Sequence, residues 1–326
     1  MASERGVSTR GLLLAGGGGM TIGLVTVLMA LELVRSYGMA LFVGAPLVIG
    51  VVTSFILNRR ATTTRTQTNS VVLLTLTLTA LSLLAAAMEG LVCIVMAIPI
   101  AIPLALLGGT IGRRIAEGPR QSSRPMLFAV LALPLWVALE PRGSTGQVTH
   151  EVRSSIEIAA PPLTVWPHVV AFEPLPAPEE LMFRAGVAFP VRARIDGTGV
   201  GAVRYCEFST GAFVEPITRW EPGVTLAFDV SASPPPLTEW SPYRNVHPPH
   251  LDGFLRARRG EFRLVPLEGG RTRLEGRTWY EIEMAPEAYW QTWTDYLIHR
   301  IHMRVLDQIK QESEGSAGHG SKIAGH

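Results

Sequence analysis

Between Glu239 and Asp252 the sequence gathers Glu239, Tyr243, Arg244, His247, His250 and Asp252 within fourteen residues. An imidazole beside a carboxylate can ligate zinc, or serve as a general base whose ring the acid orients. His247, His250 and Asp252 are therefore the candidate acid–base group. Two prolines follow His247, and His-x-x-His on such a loop is no recognised zinc spacing, so no metal or cofactor is assigned. The plainer alternative is a rigid lid whose polar groups hydrogen-bond one another.

Two further clusters carry polar chemistry. His299 and His302 stand three apart on a segment with helical periodicity, which places them on nearby faces. Either one faces a cavity mouth, or both are surface or satisfied core histidines. Arg192 and Arg194 alternate along one strand, with Arg204 and Glu207 on the next. Alternate residues share a strand face, so Arg192 and Arg194 point the same way and suit an anionic headgroup. The alternative is a cross-strand salt-bridge surface. Neither GxSxG, a P-loop nor HExxH occurs, and no GxGxxG stands between a strand and a helix. No catalytic constellation is complete, which favours binding over catalysis.

The elements that must position these residues fall into two halves. Residues 1–139 carry 10 Arg and 4 Asp or Glu; the remainder carries 19 Lys or Arg and 23 Asp or Glu. The net charge of +2 thus conceals a basic first half and a mildly acidic second half. The second half lacks the basic footprint that nucleic acid requires. The first half contains five apolar stretches: Gly11–Leu31, Met39–Leu57, Val71–Met88, Leu91–Leu107 and Met126–Leu139. A spanning helix needs about 17–25 apolar residues, which the first four supply and the fifth does not. The length of the first stretch, and the segments after it, argue against a cleaved signal peptide.

Arginine placement orients the bundle. Arg5, Arg10, Arg59, Arg60, Arg65, Arg113, Arg114, Arg120 and Arg124 fall on one side and Arg35 alone on the other. The positive-inside rule puts the N-terminus in the cytoplasm. If the fifth stretch spans, the second half lies outside; if it rests in the interface, the second half stays inside. Bracketing by Arg124 and Glu140, with Trp136 at a headgroup boundary, favours spanning. Gly19-x-x-x-Gly23 permits close helix packing. Glu32, directly after the first stretch, reads as an ion-paired interfacial residue rather than a proton site. The membrane half therefore reads as an anchor and packing module. Cys93 lies in an apolar stretch and Cys206 in the second half, so no disulfide is expected.

In the second half, Val152–Ile158 alternates as a half-buried strand should. Pro161-Pro162 opens a short helix to Val170, and Pro178-Glu179-Glu180 another to about Phe183. Strands follow at Val191–Ile195, Gly201–Phe208, Phe213–Trp220 and Thr225–Ser231, separated by Gly or Pro turns. Ser233–Gly253 is a long loop with six prolines, of the kind that is usually functional or mobile. A hairpin, Gly260–Pro266 and Arg271–Glu283, precedes a helix over Glu287–Gln311. Composition predicts a disordered tail over 311–326.

This order predicts an α+β domain at 148–310: about seven antiparallel strands around a long C-terminal helix, preceded by an all-α transmembrane bundle at 1–140. It resembles the SRPBCC superfamily, the helix-grip fold of START-like lipid-transfer domains, plant pathogenesis-related allergens and polyketide cyclase/dehydrase-like proteins. The residues carrying the resemblance are Ile156–Trp166, Gly199-x-Gly201-x-x-Arg204, Phe213–Pro222, Gly270–Leu274 and the last helix. It covers Thr149–Lys310 and leaves the membrane half outside the family's pattern. The resemblance implies a cavity between sheet and helix that holds a lipid or another hydrophobic small molecule. Walls implied by position are Met182, Phe183, Phe189, Tyr205, Phe208, Phe213, Phe228, Tyr243, Trp279, Trp290, Trp293, Tyr296 and Leu297, with Arg192 and Arg194 for a headgroup. The expected function is a membrane-anchored carrier or sensor of that ligand at a bacterial inner membrane, with its second half outside. The alternatives are a cyclase- or hydrolase-type enzyme using the 239–252 loop, and a structural or interaction protein. The expected partners are that ligand and the membrane, not nucleic acid; no protein partner is specified.

Overall fold

The computed structural model describes residues 8–60, 63–118, 124–140, 148–243, 251 and 253–323. The chain divides into two compact units. One joins 1–145 with 239–250 and 283–287; the other comprises 146–238, 251–282 and 288–326.

The first unit is a helical bundle. α1 (Thr9–Leu28) starts where the Ser8 hydroxyl accepts from Gly11 N–H at 3.2 Å, and it continues as a π-helical turn, Met29–Val34. A second π turn, Ala40–Gly44, leads into α2 (Ala45–Arg60). α3 (Arg65–Ala85) is opened by a reciprocal Thr64–Gln67 capping box. α4 (Leu91–Glu117) contains Pro99 and Pro103, and α5 (Arg124–Leu139) contains Pro134. Among the described residues, four helices are long and apolar enough to cross a membrane. α5 has 16 residues, and at ~1.5 Å per residue it is shorter than a hydrocarbon core of about 30 Å.

α2 lies at the centre of the bundle because small residues let its neighbours approach. A Cβ on Gly19 would come within 2.1 Å of Thr53 Oγ1, and one on Gly108 within 2.0 Å of Leu47 O. The Gly19–Gly23 face thus packs α1, and a Gly108–Gly112 face packs α4, both against α2.

Two short pieces from later in the chain complete this unit. The Glu239 carboxylate accepts from the Val92 and Cys93 N–H groups at 3.0 and 3.1 Å, and Trp240 O accepts from Leu91 N–H. The first turn of α4 is therefore capped by an acid far away in sequence, where charge and dipole agree. Gly90 stands here because any Cβ would meet Glu239 Oε2 at 2.0 Å. Tyr243 Oη donates to Ala85 O at 2.6 Å, and Ala285 N–H donates to Tyr37 O. Glu239→Ala should cost about 1–2 kcal/mol of local stability. Hydrogen exchange of the Leu91–Cys93 amides in the full chain measures it; unchanged protection would show the cap to be dispensable.

The second unit is built on a seven-stranded antiparallel sheet of order β1-β7-β6-β5-β4-β3-β2. Its strands are β1 (His150–Ile158), β2 (Pro190–Asp196), β3 (Val203–Phe208), β4 (Gly211–Glu221), β5 (Thr225–Asp229), β6 (Leu255–Leu267) and β7 (Arg271–Ile282). α6 (Pro162–Val170) and α7 (Leu181–Arg184) separate β1 from β2, and α8 (Glu287–Ile323) follows β7. Register shifts in β2, β4 and β6 bend the strands, so the sheet curls. Its concave face packs Leu226, Phe228, Leu264 and Leu274 with Val305, Leu306 and Ile309 of α8. This is the expected helix-grip arrangement, an α+β fold.

α8 does not end at Lys310. It continues to Ile323, and the residues that directly follow Lys310 have tertiary partners. The Glu312 carboxylate meets His168 Nδ1 at 3.0 Å, Glu314 accepts from Ala159 N–H at 2.8 Å, and Ser313 is fully buried. These contacts override a composition that by itself suits a disordered tail. The proline-rich loop also divides: 233–238 stays with the sheet, whereas 239–243 is bound to the helical bundle.

Candidate binding cavity

Between the concave face and α8 lies a cavity of about 170 Å³. A single water needs only about 10–15 Å³, so this space is an order of magnitude larger. Two inner-face glycines, Gly260 and Gly276, thin its sheet wall; a Cβ on Gly260 would come within 2.4 Å of the Phe228 ring. Phe208, Phe213, Phe228, Phe262, Leu297 and Ile301 supply apolar wall, and Pro234–Pro236 border it.

The polar groups of the wall start with a buried ion pair. Arg204 on β3 stands in register with Glu215 on β4, and Arg204 Nη1 donates to the Glu215 carboxylate. Arg204 Nε donates to Val170 O at 3.1 Å. Its Nη2 is buried beside the Cys206 thiol and has no oxygen partner among the described residues. The guanidinium carbon lies 5.5–5.7 Å from the ring centroids of Phe172, Phe228 and Phe262, within cation–π range. Burial works against the Arg204 charge, but Glu215 and Cys206 together outweigh it and hold its pKa above the ordinary value. Burial raises the Glu215 carboxyl against the pull of Arg204. Burial, with Glu215 adding to it, pushes the Cys206 thiol up to about 12, so this thiol stays protonated at neutral pH.

On another part of the wall stand Thr278, Tyr280, His302 and Thr294. Tyr280 Oη donates to the Asp295 carboxylate at 2.6 Å. Burial first, and then neighbouring His299, lower the His302 pKa to about 4.

Of the aromatic and aliphatic residues expected in the wall, Phe208, Phe213, Phe228 and Leu297 line it. The others lie elsewhere. Tyr205 follows Arg204 in β3, so it points to the opposite face, where Arg194 stacks on its ring at 4.0 Å. Trp279 likewise alternates away from Thr278 and Tyr280 and stacks with Arg259 at 4.8 Å. Phe183 and Phe189 pack edge-to-face on each other at 6.0 Å, and neither they nor Met182 reach the cavity. On α8, Trp290 is buried against Tyr289, Tyr296 is exposed, and Trp293 lies off the cavity face. Tyr243 belongs to the helical bundle. Arg192 and Arg194 are on the outer face, where both bond the Glu207 carboxylate at 2.7 and 3.3 Å and Arg194 also meets Asp196. The headgroup role does not suit them, because Glu207 and Asp196 together already balance the two arginines. His247, His250 and Asp252 lie outside the described residues. Among the described residues no group of three or more His, Cys, Asp or Glu could hold a metal ion.

Arg204 and Glu215 were legible only through strand parity. Arg204 falls between Ala202 and Cys206, and Glu215 between Phe213 and Ile217, each a charge set among apolar neighbours on one face. A charge at an inward position is the signal that a buried pair leaves in a sequence.

No family model matches the chain, and no curated protein is similar to it. Solved structures are. A point mutant of norcoclaurine synthase from Thalictrum flavum, in complex with a transition-state analogue, is similar at 12% identity and a TM-score of 0.35. The match covers 53% of this chain and 99% of that one. The Zhui aromatase/cyclase from Streptomyces sp. R1128 is similar at 14% identity and a TM-score of 0.31, over 51% of this chain and 94% of that one.

Proposed function

We propose that this chain binds a hydrophobic small molecule or lipid in the helix-grip cavity, as a carrier or sensor held in a membrane by its N-terminal helices. The cavity carries the proposal: it is walled mostly by aromatic and aliphatic side chains, with a few placed polar groups, as ligand sites are. Anchoring rests on the four long apolar helices.

The bundle also supports an orientation. The Glu140 carboxylate, at the end of α5, accepts from Met39 N–H at 2.5 Å, and Tyr37 Oη donates to Glu89 at 2.7 Å. The end of α5 thus lies with the arginine-poor turns, as it must if α5 runs the full depth of the bundle. On the positive-inside rule that end faces away from the cytoplasm, and the helix-grip unit with it.

The test is to extract the full chain in mild detergent and look for a co-purifying molecule by mass spectrometry, beside Ile298→Trp. Ile298 lines the cavity, and an indole there fills much of it. The expected result is a hydrophobic molecule bound to the parent and lost from the variant. Equal retention by both would move the ligand out of this cavity; its absence from the parent, with no binding of added lipids, would overturn the reading.

A further inference from the structure

Two hydroxyls on the sheet and two histidines on α8 form one unbroken hydrogen-bonded chain. Thr278 Oγ1 lies 2.8 Å from His302 Nε2. His302 Nδ1 lies 3.1 Å from Ser154 Oγ, which in turn lies 2.7 Å from His299 Nδ1. Thr278 and His302 line the cavity, Ser154 is 4% exposed within the wall, and His299 is exposed. The chain therefore runs from the cavity through the wall to solvent.

The fold explains how these groups meet. β1 pairs with β7 so that Ser154 stands opposite Gly276 and Val152 opposite Thr278, which sets Ser154 and Thr278 on one face. Gly276 has no side chain to fill the space between them, and the His302 ring lies 3.9 Å from where its Cβ would be. A spacing of three on α8 turns both imidazoles towards this edge.

Hydrogen counting restricts the chain to two states. Each hydroxyl owns one hydrogen and each neutral imidazole one. If His302 donates from Nε2 to Thr278, Ser154 must donate to His302 Nδ1 and His299 to Ser154. If His302 donates from Nδ1 to Ser154, every bond reverses: Thr278 donates to His302, and Ser154 to His299. Passing one proton along the chain converts one state into the other.

We propose that this chain is a proton relay, which makes the cavity a proton-transfer site for a hydrophobic ligand that presents a phenol or enol oxygen to Thr278. This rests on the cavity being a ligand site. When the ligand O–H breaks, its proton forms a new bond to Thr278 Oγ1, and the original Thr278 hydrogen passes to His302 Nε2. The His302 Nδ1 hydrogen passes to Ser154, the Ser154 hydrogen to His299 Nδ1, and the His299 Nε2 hydrogen to water. Every bond broken is matched by one formed, and the reverse sequence protonates the ligand. His302 suits the role of carrier because its burial keeps it neutral rather than storing a proton.

2-Naphthol tests this. It is a hydrophobic phenol that becomes a strong acid on excitation, and its anion emits at a longer wavelength than the neutral form. The full chain is studied in lipid nanodiscs, with protein-free nanodiscs as the blank, and binding is read from anisotropy on the same samples. Bound 2-naphthol should show anion emission. Ser154→Ala and His299→Asn, which break the relay at residues that do not line the cavity, should bind equally and lower the anion-to-neutral ratio at least about tenfold. Ser154→Thr, which returns the hydroxyl, should restore it. His299 is exposed, so its variant folds even if the Ser154 change disturbs the core. Equal anion emission from parent and both variants would overturn the relay and leave the cavity reading intact. Failure of the parent to bind 2-naphthol above the blank would count against the cavity reading, and the relay falls with it.

Discussion

Replacing Arg204 by Met lowers the stability of the helix-grip unit by about 3–5 kcal/mol, and adding Glu215→Leu returns most of that loss. The single change leaves the Glu215 carboxylate, 5% exposed, with its cationic partner gone. A buried charge without a partner costs far more than the pair contributes, because desolvation is no longer offset. It also removes the hydrogen bond to Val170 O and the cation held among Phe172, Phe228 and Phe262. The double change replaces two desolvated charges by apolar side chains of similar volume in a wall that is already apolar. Hydrogen exchange of β3 and β4 amides in the full chain reads the stability of this unit separately from the bundle. A single variant as stable as the parent would show that Glu215 is neutral and indifferent to Arg204. A double variant as unstable as the single would show that geometry, not charge, is what the pair supplies.

The second large effect is on pH dependence. An unfolded histidine takes up a proton near pH 6.5, whereas burial keeps His302 neutral in the folded chain until about pH 4. Between those values the unfolded state binds more protons, so stability falls as pH falls. The contribution is fully present above pH 6.5 and is lost progressively towards pH 4. A displacement from 6.5 to about 4 corresponds to about 3 kcal/mol. Carboxylates also lose stabilising interactions on acidification: Glu207 is held below its ordinary value by Arg192, and Glu275 by Arg153 and Arg277 against its own burial. The His302 share is therefore the difference between the parent and His302→Gln, which cannot titrate. The variant should show a flatter decline from pH 6.5 to 4, and β1 and β7 amides should report it most strongly. Parallel pH profiles would mean that His302 is protonated as readily in the folded chain as in the unfolded one.

What the sequence determined by itself is local or one-dimensional. Helix spans follow from apolar run length, since a membrane or a core selects for length without regard to partners, and four of the five runs became helices long enough to cross a bilayer. Strands follow from period-two alternation, and all seven appeared within a few residues of their expected places. The antiparallel order and the C-terminal helix were legible for the same reason: turns and periodicity lie in contiguous residues.

Tertiary structure decided everything that depends on which residues meet across the chain. Alternation marks two faces of a strand but not which one turns inward, and so Tyr205 and Trp279 were expected in the wall while their neighbours Arg204 and Thr278 occupy it. Ser154 reaches His302 across 148 residues, and no spacing rule operates at that separation. Glu239 caps a helix that begins 148 residues before it, a role that neither the loop nor the helix announces. The continuation of α8 past Lys310 rests on Glu312 and Glu314 finding partners on α6 and beside β1, and on the burial of Ser313, against their own composition. Propensity and periodicity are sums over neighbours in sequence, whereas a buried charge, a cap or a relay is satisfied only by neighbours in space.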